Sequence, residues 1–552
     1  MSGATFRPSE LVDFLVIGAG AAGGVMAKEL STAGFRVVVL EQGPYLTEKD
    51  YKHDEIRYTY QPGLTNDPKV QPITYRKNDS EQAKPLKVIE YGRQVGGGSV
   101  HFTANYWRFH ESDFEERSQF GEVPGADLAD WPIKYADLEP YYTKAEYDLG
   151  ISGLAGANPF EAPRSKPYPL PPMPVKSSGV LFDRGAKKLG LHPYPAPMAI
   201  LSQPYQGRAA CVHCGFCEYF GCEMRAKSST LVSVIPIAEK TGRCETRPNS
   251  YVRKIEIDAH GRATGAIYFD ANRREIFQRA KAVVLCANGA ETARLLLLSK
   301  SKRFPQGLAN SSGLVGTHLM WDSGGLAMGL FEHPLNEHKG IQVTRVLHDY
   351  YRADPKRGFY GGAGIDARFN YYPANFALTG LPPDAPKWGA EYKKMLSQYF
   401  THTMSVLAHT SSLPQLGNSV SLDPELKDAW GLPAMRVTFD FHSDDVATMQ
   451  WALTKQVEIL EAAGAKKTWT AGITLKDMLP SVHLMGTCRM GNDPKQSVVD
   501  RNNRAHDVPN LVIADGSSFV TAARQQPTAT IQALAYRAAD YAIQAAKRGE
   551  LG

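Results

Sequence analysis

The sequence lacks any apolar run long enough to cross a membrane. Its most apolar stretch, residues 14–27, is rich in glycine and is shorter than the roughly 20 apolar residues that a spanning helix needs. Runs of Lys or Arg are also absent, and the formal charge is only +5 over 552 residues, which argues against a nucleic-acid partner. The first residues show no basic segment followed by a cleavage site, so we expect no export signal within the chain.

Cysteine is scarce and unevenly placed. The chain has seven, an odd number, and four fall within twelve residues, so they do not predict a disulfide framework. Those four are Cys211, Cys214, Cys217 and Cys222, spaced C-x2-C-x2-C-x4-C. Such compact spacing is close to that of ferredoxins and predicts an iron-sulfur cluster. A structural zinc site is the alternative, and buried thiols without a ligand are a third interpretation.

The N-terminal region has the pattern of a dinucleotide-binding unit. An apolar, β-prone stretch, Val12–Ile17, runs into a glycine turn at residues 18–23, after which an Ala/Leu helix pattern extends to about Ser31. A second buried strand is expected at residues 35–40. The order of strand, glycine turn, helix, strand and acid is typical of this unit, and a glycine turn in an unrelated α/β protein is the alternative.

Each special residue of this unit has a physical task. Gly18 permits the tight turn, Gly20 lets the backbone approach a pyrophosphate, and Gly23 allows the helix to pack closely on the strand. The N-terminus of the helix supplies amide donors and a partial positive charge to the phosphates. Glu41, after the second strand, is expected to hold the ribose hydroxyls.

Further motifs lie in the middle and near the C-terminal end. They occupy residues 91–99, 107–109, 287–296, 483–491 and 510–516. In this order, together with the N-terminal unit, they resemble the GMC (glucose-methanol-choline) oxidoreductases. Within that family, residues 95–109 and 130–142 look nearest to bacterial membrane-linked sugar dehydrogenases, such as glucose, gluconate, fructose and glucoside 3-dehydrogenases, and to pyranose oxidases.

The resemblance implies an α/β protein with two domains, as the length of 552 residues also suggests. A Rossmann-like FAD-binding domain is expected from residues 1–135, 205–325 and 475–552, with the cysteines in a loop at 207–224. Residues 136–204 and 326–474 are expected to form a substrate-binding domain on an antiparallel sheet. Beyond the N-terminal unit, the resemblance implies FAD contacts at Arg93, Gly97, Ser99, His101, Ala287 and Asp515.

By the same resemblance, His483 is the active-site base. Alcohol oxidation by a flavin requires removal of the hydroxyl proton and delivery of hydride to N5, and imidazole suits the first task. A structural histidine beside a turn is the alternative. The family's second active-site residue, usually His or Asn, is predicted at Gln526, with Gln525 or a surface glutamine pair as alternatives. His101 lies near a position where some relatives attach FAD covalently, and a histidine packed near the ring without such a bond is the alternative.

The resemblance also implies partners. Several sugar dehydrogenases of the family hold a three-iron cluster in the same region, and the four cysteines would also suit four irons, so 3Fe-4S and 4Fe-4S clusters are both considered. Such relatives pair with a small subunit that bears the export signal, and they pass electrons to a cytochrome c or a quinone. A periplasmic location by co-export is therefore expected, with a cytoplasmic one as the alternative.

Taken together, these patterns predict an FAD-dependent dehydrogenase that oxidises a hydroxyl of a sugar or glycoside, preferably the 3-hydroxyl of a glycoside, and passes electrons to an iron-sulfur cluster. A flavin oxidase that uses oxygen, with a structural zinc at the cysteines, is the rival. A subunit that binds FAD and metal without catalysis is a third hypothesis.

Overall fold

The fold was determined as a computed structural model that describes residues 5–322, 324–470 and 482–551. Its strands are β1 (Val12–Ile17), β2 (Val37–Leu40), β3 (Ile73–Arg76), β4 (Lys84–Pro85), β5 (Tyr194–Pro195), β6 (Cys244–Arg247), β7 (Tyr251–Ile257), β8 (Ala263–Phe269), β9 (Glu275–Leu285), β10 (Leu326–Leu330), β11 (Val343–Leu347), β12 (Gly364–Arg368), β13 (Thr403–His409), β14 (Ser419–Lys427), β15 (Pro433–Thr438), β16 (Lys467–Thr470) and β17 (Leu511–Ile513). Its helices are α1 (Ala21–Thr32), α2 (Glu116–Phe120), α3 (Tyr135–Leu149), α4 (Ser177–Lys188), α5 (Ile235–Lys240), α6 (Glu291–Leu298), α7 (Pro373–Asn375), α8 (Gly389–His402), α9 (Ser443–Ala463) and α10 (Thr528–Lys547).

A parallel sheet is built around the N-terminal strand. Its strands lie in the order β6, β2, β1, β9 and β17, and all of these neighbours are parallel. Strands β1 and β2 are runs of almost wholly buried Val, Leu, Ile and Phe, as expected where both faces of a parallel sheet are covered. Helix α1 returns the chain from β1 to β2 and packs against α10. The first half of β9 leaves this sheet and pairs antiparallel with β8, which pairs with β7.

A second, antiparallel sheet has the order β16, β10, β13, β12, β11 and β5. Alternate residues of a strand point to opposite faces. In β12 and β13, Ile365, Ala367, Val406 and Ala408 join an apolar core with α4 and α9. The alternate residues of these two strands, including Arg368 and His409, therefore face the other way, towards the parallel sheet.

The predicted combination of a Rossmann-like parallel sheet with an antiparallel sheet is confirmed. A third sheet, in the order β14, β15, β3 and β4, joins residues 73–85 to residues 419–438. The predicted domain boundaries stay a prediction, and the one at residue 475 falls outside the described residues. Among the helices of the described ranges, none is long and apolar enough to span a bilayer.

Candidate active site

A cavity of about 680 Å³ lies between the parallel and the antiparallel sheet. One side consists of residues that follow the carboxyl ends of β1, β2, β9 and β17, the edge at which open α/β sheets bind ligands. The other side consists of residues from β10, β12 and β13. Segments that are far apart in the sequence thus meet around one space.

The glycine turn after β1 forms the floor of this cavity. Gly18 is in the left-handed region (φ 94°), and a Cβ there would lie 2.4 Å from the carbonyl oxygen of Cys286. A Cβ on Gly23 would lie 1.8 Å from the carbonyl oxygen of Gly18, so helix and turn touch. At Gly20 a Cβ would meet only the Cα of Gly97, at 3.9 Å, and would otherwise extend into the cavity. This cradle fits the pyrophosphate of a dinucleotide, because backbone amides can approach it without side chains in the way.

Two buried acids border the same cradle. Glu41 accepts hydrogen bonds from the amides of Ala19 (3.0 Å) and Gly43 (2.9 Å), and burial raises its pKa to about 7. Asp515 accepts from the amide of Asn288 (3.1 Å) and from the hydroxyl of Thr292 (2.5 Å), and burial raises its pKa as well. Both side chains line the cavity, as does Ala287.

The second predicted FAD segment forms an adjoining wall. Gly97, Ser99 and His101 all line the cavity. His101 is buried, its Nε2 has no hydrogen-bond partner in the described part of the chain, and burial lowers its pKa to about 3, with the charge of Lys227 adding to the effect. Arg93 is not part of the cavity wall; its guanidinium lies over the ring of Trp430, so a contact with a ligand is not supported there.

His483 lies in the cavity wall with its side chain 26% exposed. Its Nδ1 is hydrogen-bonded to Oδ1 of Asp322, a buried carboxylate at the start of the antiparallel sheet. Burial alone would raise the pKa of Asp322, but the two histidines beside it, His483 and His409, lower it well below its usual range. Because Nδ1 is engaged, Nε2 is the ring nitrogen left for a ligand.

Asp322 also connects to a second imidazole that the sequence analysis missed. Its Oδ2 lies 3.1 Å from Nδ1 of His409, whose Nε2 lies 2.9 Å from Oδ2 of Asp366. Asp366 in turn accepts two hydrogen bonds from Arg368, at 2.6 and 2.5 Å. These five side chains form a continuous network, His483–Asp322–His409–Asp366–Arg368, in which all but His483 are buried. Sheet alternation explains why the last three share one face.

The two candidate glutamines, Gln525 and Gln526, point in different directions. Gln526 lines the cavity, and its side-chain nitrogen lies 2.7 Å from Nε2 of His409. Gln525 points away and donates to the backbone carbonyl of Arg108. Only the first of the pair is therefore positioned to contact a ligand in the cavity.

The cysteine loop lies directly behind the cavity wall. Glu218 and Tyr219, which follow Cys217, line the cavity, and the amide of Tyr219 donates to the carbonyl of His101 (2.8 Å). Buried Lys227 ties the two segments together by donating to the carbonyls of Cys217 (2.5 Å) and Phe102 (3.1 Å).

The thiols themselves are unevenly exposed. Cys214 is exposed, Cys217 is buried, and Cys211 and Cys222 are half-buried. Burial raises the pKa of Cys211 to about 11 and that of Cys217 to about 12. As placed, no three Cys, His, Asp or Glu side chains in the described ranges form a group that could hold a metal ion. The donor types suit an iron-sulfur cluster, but the arrangement does not assemble one.

A glycine cradle for a dinucleotide, facing an imidazole held by a carboxylate, defines a nucleotide-dependent oxidoreductase. Models of the GMC oxidoreductase family match residues 12–320 and 414–535. The chain belongs to the GMC oxidoreductase family. It is an FAD-dependent oxidoreductase that acts on CH–OH groups.

Several characterised proteins are similar over nearly the whole chain. A 2-methyl-1,2-propanediol dehydrogenase from Mycolicibacterium austroafricanum is 35% identical over 97% of this chain and 95% of its own length. The gluconate 2-dehydrogenase flavoprotein of Pantoea cypripedii is 31% identical over 95% and 92%, and the fructose dehydrogenase large subunit of Gluconobacter japonicus is 30% identical over 97% and 98%. Among solved structures, pyridoxine 4-oxidase from Mesorbium loti has a TM-score of 0.65 at 18% identity, over 96% of this chain and 99% of its own, and shows the same fold.

Proposed function

We propose that this protein is a dehydrogenase that oxidises a hydroxyl of a sugar, glycoside or related polyol, with His483 as the base. The observation that carries the proposal is the hydrogen bond between Nδ1 of His483 and buried Asp322 in the cavity wall. A carboxylate on one ring nitrogen fixes the tautomer in which the other nitrogen can accept a proton, and it stabilises the ring once that proton arrives.

Two side chains in the cavity wall have distinct roles in the proposed reaction. Nε2 of His483 takes the hydroxyl proton, and Gln526 holds the substrate oxygen through its amide, which can donate or accept. FAD held by the glycine cradle would supply the acceptor for the hydride that leaves the carbinol carbon. The two electrons and both hydrogens of the oxidised alcohol are thus accounted for: one leaves as a proton to His483 and the other as hydride to the flavin.

We propose that the cradle of Gly18, Gly20 and Gly23 holds the FAD pyrophosphate, with Glu41 on the ribose and His101 beside the ring system. The open backbone at Gly20 and the unpartnered Nε2 of His101 support this assignment. Fluorescence of the protein band on a denaturing gel distinguishes covalent from non-covalent attachment of the flavin. Flavin that stays with the band is covalently bound, and flavin that runs free is not.

The substrate class is supported by the relatives, whose names specify a small diol, gluconate and fructose. The test is a panel of diols, monosaccharides and glycosides with an artificial dye acceptor. For the predicted 3-hydroxyl target, a glycoside and its 3-deoxy analogue form the decisive pair.

His483→Ala should abolish turnover with every active alcohol while FAD stays bound. The matched control is His192→Ala, because His192 makes the same kind of bond to Asp349 (2.7 Å) on the exterior.

Turnover of no alcohol by FAD-loaded protein would contradict the proposal. Release of hydrogen peroxide in air at the rate of dye reduction would instead identify an oxidase. The visible spectrum adds to this distinction, because a broad shoulder beyond the flavin bands indicates iron-sulfur.

We further propose that Cys211, Cys214, Cys217 and Cys222 hold an iron-sulfur cluster of three or four irons, which would carry electrons singly out of the site. The four thiols, which as placed do not form a group able to hold a metal ion, would have to be drawn together by the cluster. The spacing of the cysteines and the direct contact of their loop with the cavity wall support the cluster. Iron and sulfide analysis tests it: Cys217→Ser should lose iron, and Cys244→Ser, a buried cysteine outside the loop, should not. Zinc in place of iron would overturn it.

Partners and location follow from the same proposal. A relative named as a large subunit supports a smaller companion, and we propose that this companion bears the export signal and that a cytochrome c or a quinone accepts the electrons in the periplasm. Reduction of purified cytochrome c or of a soluble quinone, with and without the co-expressed companion, tests the acceptor. Cell fractionation tests the location, and activity confined to the cytoplasm would contradict it.

A further inference from the structure

His409 lies between two buried carboxylates. Its Nδ1 is 3.1 Å from Asp322 and its Nε2 is 2.9 Å from Asp366, so each ring nitrogen has an acceptor. An imidazole has two N–H groups only when it is protonated. Hydrogen bonding to both carboxylates at once therefore requires the cationic form.

The other groups around the ring come from four parts of the chain. Arg368 on β12 lies 3.0 Å from Nε2 and opposes a positive charge, but it is paired with Asp366. Gln526, before α10, is neutral, and its amide nitrogen lies 2.7 Å from Nε2. Because an amide nitrogen only donates, a proton on Nε2 requires the amide to be turned so that its oxygen, which has no hydrogen-bond partner among the described residues, faces the ring. Across the ring of Trp107 lies buried His348, whose pKa is well below its ordinary value because of burial, so it adds no charge at neutral pH.

We propose that His409 is a positioning residue: a fixed cation that shares Asp322 with His483 and thereby weakens the hold of Asp322 on the proton that His483 accepts. The proposal rests on the proposed role of His483 as the base. According to this proposal, His409, on the antiparallel sheet, controls the pH above which His483 is unprotonated and can act as a base.

The physical reason is the sharing of one carboxylate by two rings. Burial opposes a charge on His409, but the hydrogen bonds to Asp322 and Asp366 outweigh it and raise the pKa of His409. When His483 is protonated, its positive charge and that of His409 lie on opposite sides of the same carboxylate, Asp322. Without the charge on His409, Asp322 would act on His483 alone and would hold the proton more strongly.

The experiment is a pH titration of histidine ring resonances in the FAD-loaded protein with ¹³C-labelled histidine, without substrate. His409→Gln and His483→Gln assign the two rings. In the wild type, the His409 resonance should show the charged ring at pH 7. In His409→Gln, the midpoint of the His483 titration should move upward by about 1–2 pH units. His409→Lys keeps the charge and should leave the midpoint within about half a unit of the wild type.

The ring of His318 is the internal control. It lies 3.3 Å from Asp127, away from the network, and its titration should be the same in every variant. An unchanged His483 midpoint in His409→Gln, or a neutral His409 ring at pH 7 in the wild type, would overturn the proposal. The second observation is made on the wild type and needs a variant only to identify the His409 resonance, so His409→Lys can serve for that assignment where His409→Gln does not fold. Because no turnover is measured, failure of the proposed function would appear separately, as absence of alcohol oxidation.

Discussion

Replacement of Asp322 by Asn tests the central contact of the site. Asn has nearly the same shape, and with its oxygen towards His483 it still accepts the hydrogen bond from Nδ1, so the tautomer of His483 is preserved while the charge is lost. Its amide nitrogen then faces Nδ1 of His409 in place of a carboxylate oxygen, so the contact with His409 changes as well. In the reaction His483 becomes positively charged, and a neutral neighbour stabilises that form much less than a carboxylate does. We therefore expect Asp322→Asn to slow the chemical step and to leave FAD in place, since Asp322 contacts the two histidines.

The size of the effect follows from the burial of the pair. A carboxylate in contact stabilises the charged form of its partner by about 1.4–4 kcal/mol. Asp322 is buried, which favours the upper part of this range, but its charge is shared with His409, which favours the lower part. A loss of about 2–4 kcal/mol corresponds to a decrease in kcat of about 30- to 900-fold.

The assay is steady-state turnover with a dye acceptor, together with the absorbance ratio of flavin to protein. The control is Asp349→Asn, which removes the charge from a His–Asp pair on the exterior and should leave kcat within about twofold of the wild type. A kcat for Asp322→Asn within about threefold of the wild type, with full FAD content, would refute the assignment of His483 as a base supported by Asp322.

Three further outcomes are expected. Gly18→Ala should lose most of its bound flavin, measured by absorbance, because its Cβ would collide with backbone, whereas Gly34→Ala, equally left-handed but with open space around it, should bind flavin normally. Arg524→Met should lower the free energy of unfolding by about 3–5 kcal/mol in urea, because it leaves buried Glu116 without its cation. The pKa of Glu41 is raised in the folded state, from 4.5 to about 7, so its contribution is complete below pH 4.5 and is lost as the pH rises to 7. Glu41 alone should therefore lower the free energy of unfolding of the apoprotein by about 3 kcal/mol across this window, and Glu41→Gln should reduce the pH dependence of that free energy by the same amount.

The nucleotide cradle could be predicted from the sequence because its parts are local. The strand, turn and helix that carry Gly18, Gly20 and Gly23 are consecutive in the chain, so their spacing predicts the turn, although Gly18 also packs against Cys286 and Gly20 faces Gly97, which only the fold brings near. The antiparallel sheet was predicted through resemblance, since its strands carry no comparable local signature. His483 and Gln526 were also found in this way, and both line the cavity.

The network behind His483 could not be found in the same way. Asp322 and His483 are 161 positions apart, and Asp366 and His409 are 43 apart, so only the fold brings them together. One signal was present: Asp366 and Arg368 are charged residues at alternate positions of an otherwise apolar strand, and such a strand buries its charges only where they are paired. The partner of that pair, His409, lies at the end of the neighbouring strand and has no sequence mark of its own.

The arrangement of charge also gives a physical reason for a neutral residue at position 526, where Gln526 is proposed to hold the substrate oxygen. Along the network the charges alternate, positive on Arg368, negative on Asp366, positive on His409 and negative on Asp322, so the four sum to zero and each buried ion touches one of opposite sign. A second ionisable ring beside His409 would place a further positive charge against an existing one. A neutral amide avoids that repulsion and still offers a donor and an acceptor to the substrate oxygen. In the proposed mechanism, the proton that His483 receives gives this otherwise neutral network a net charge of plus one, which is lost again when that proton leaves.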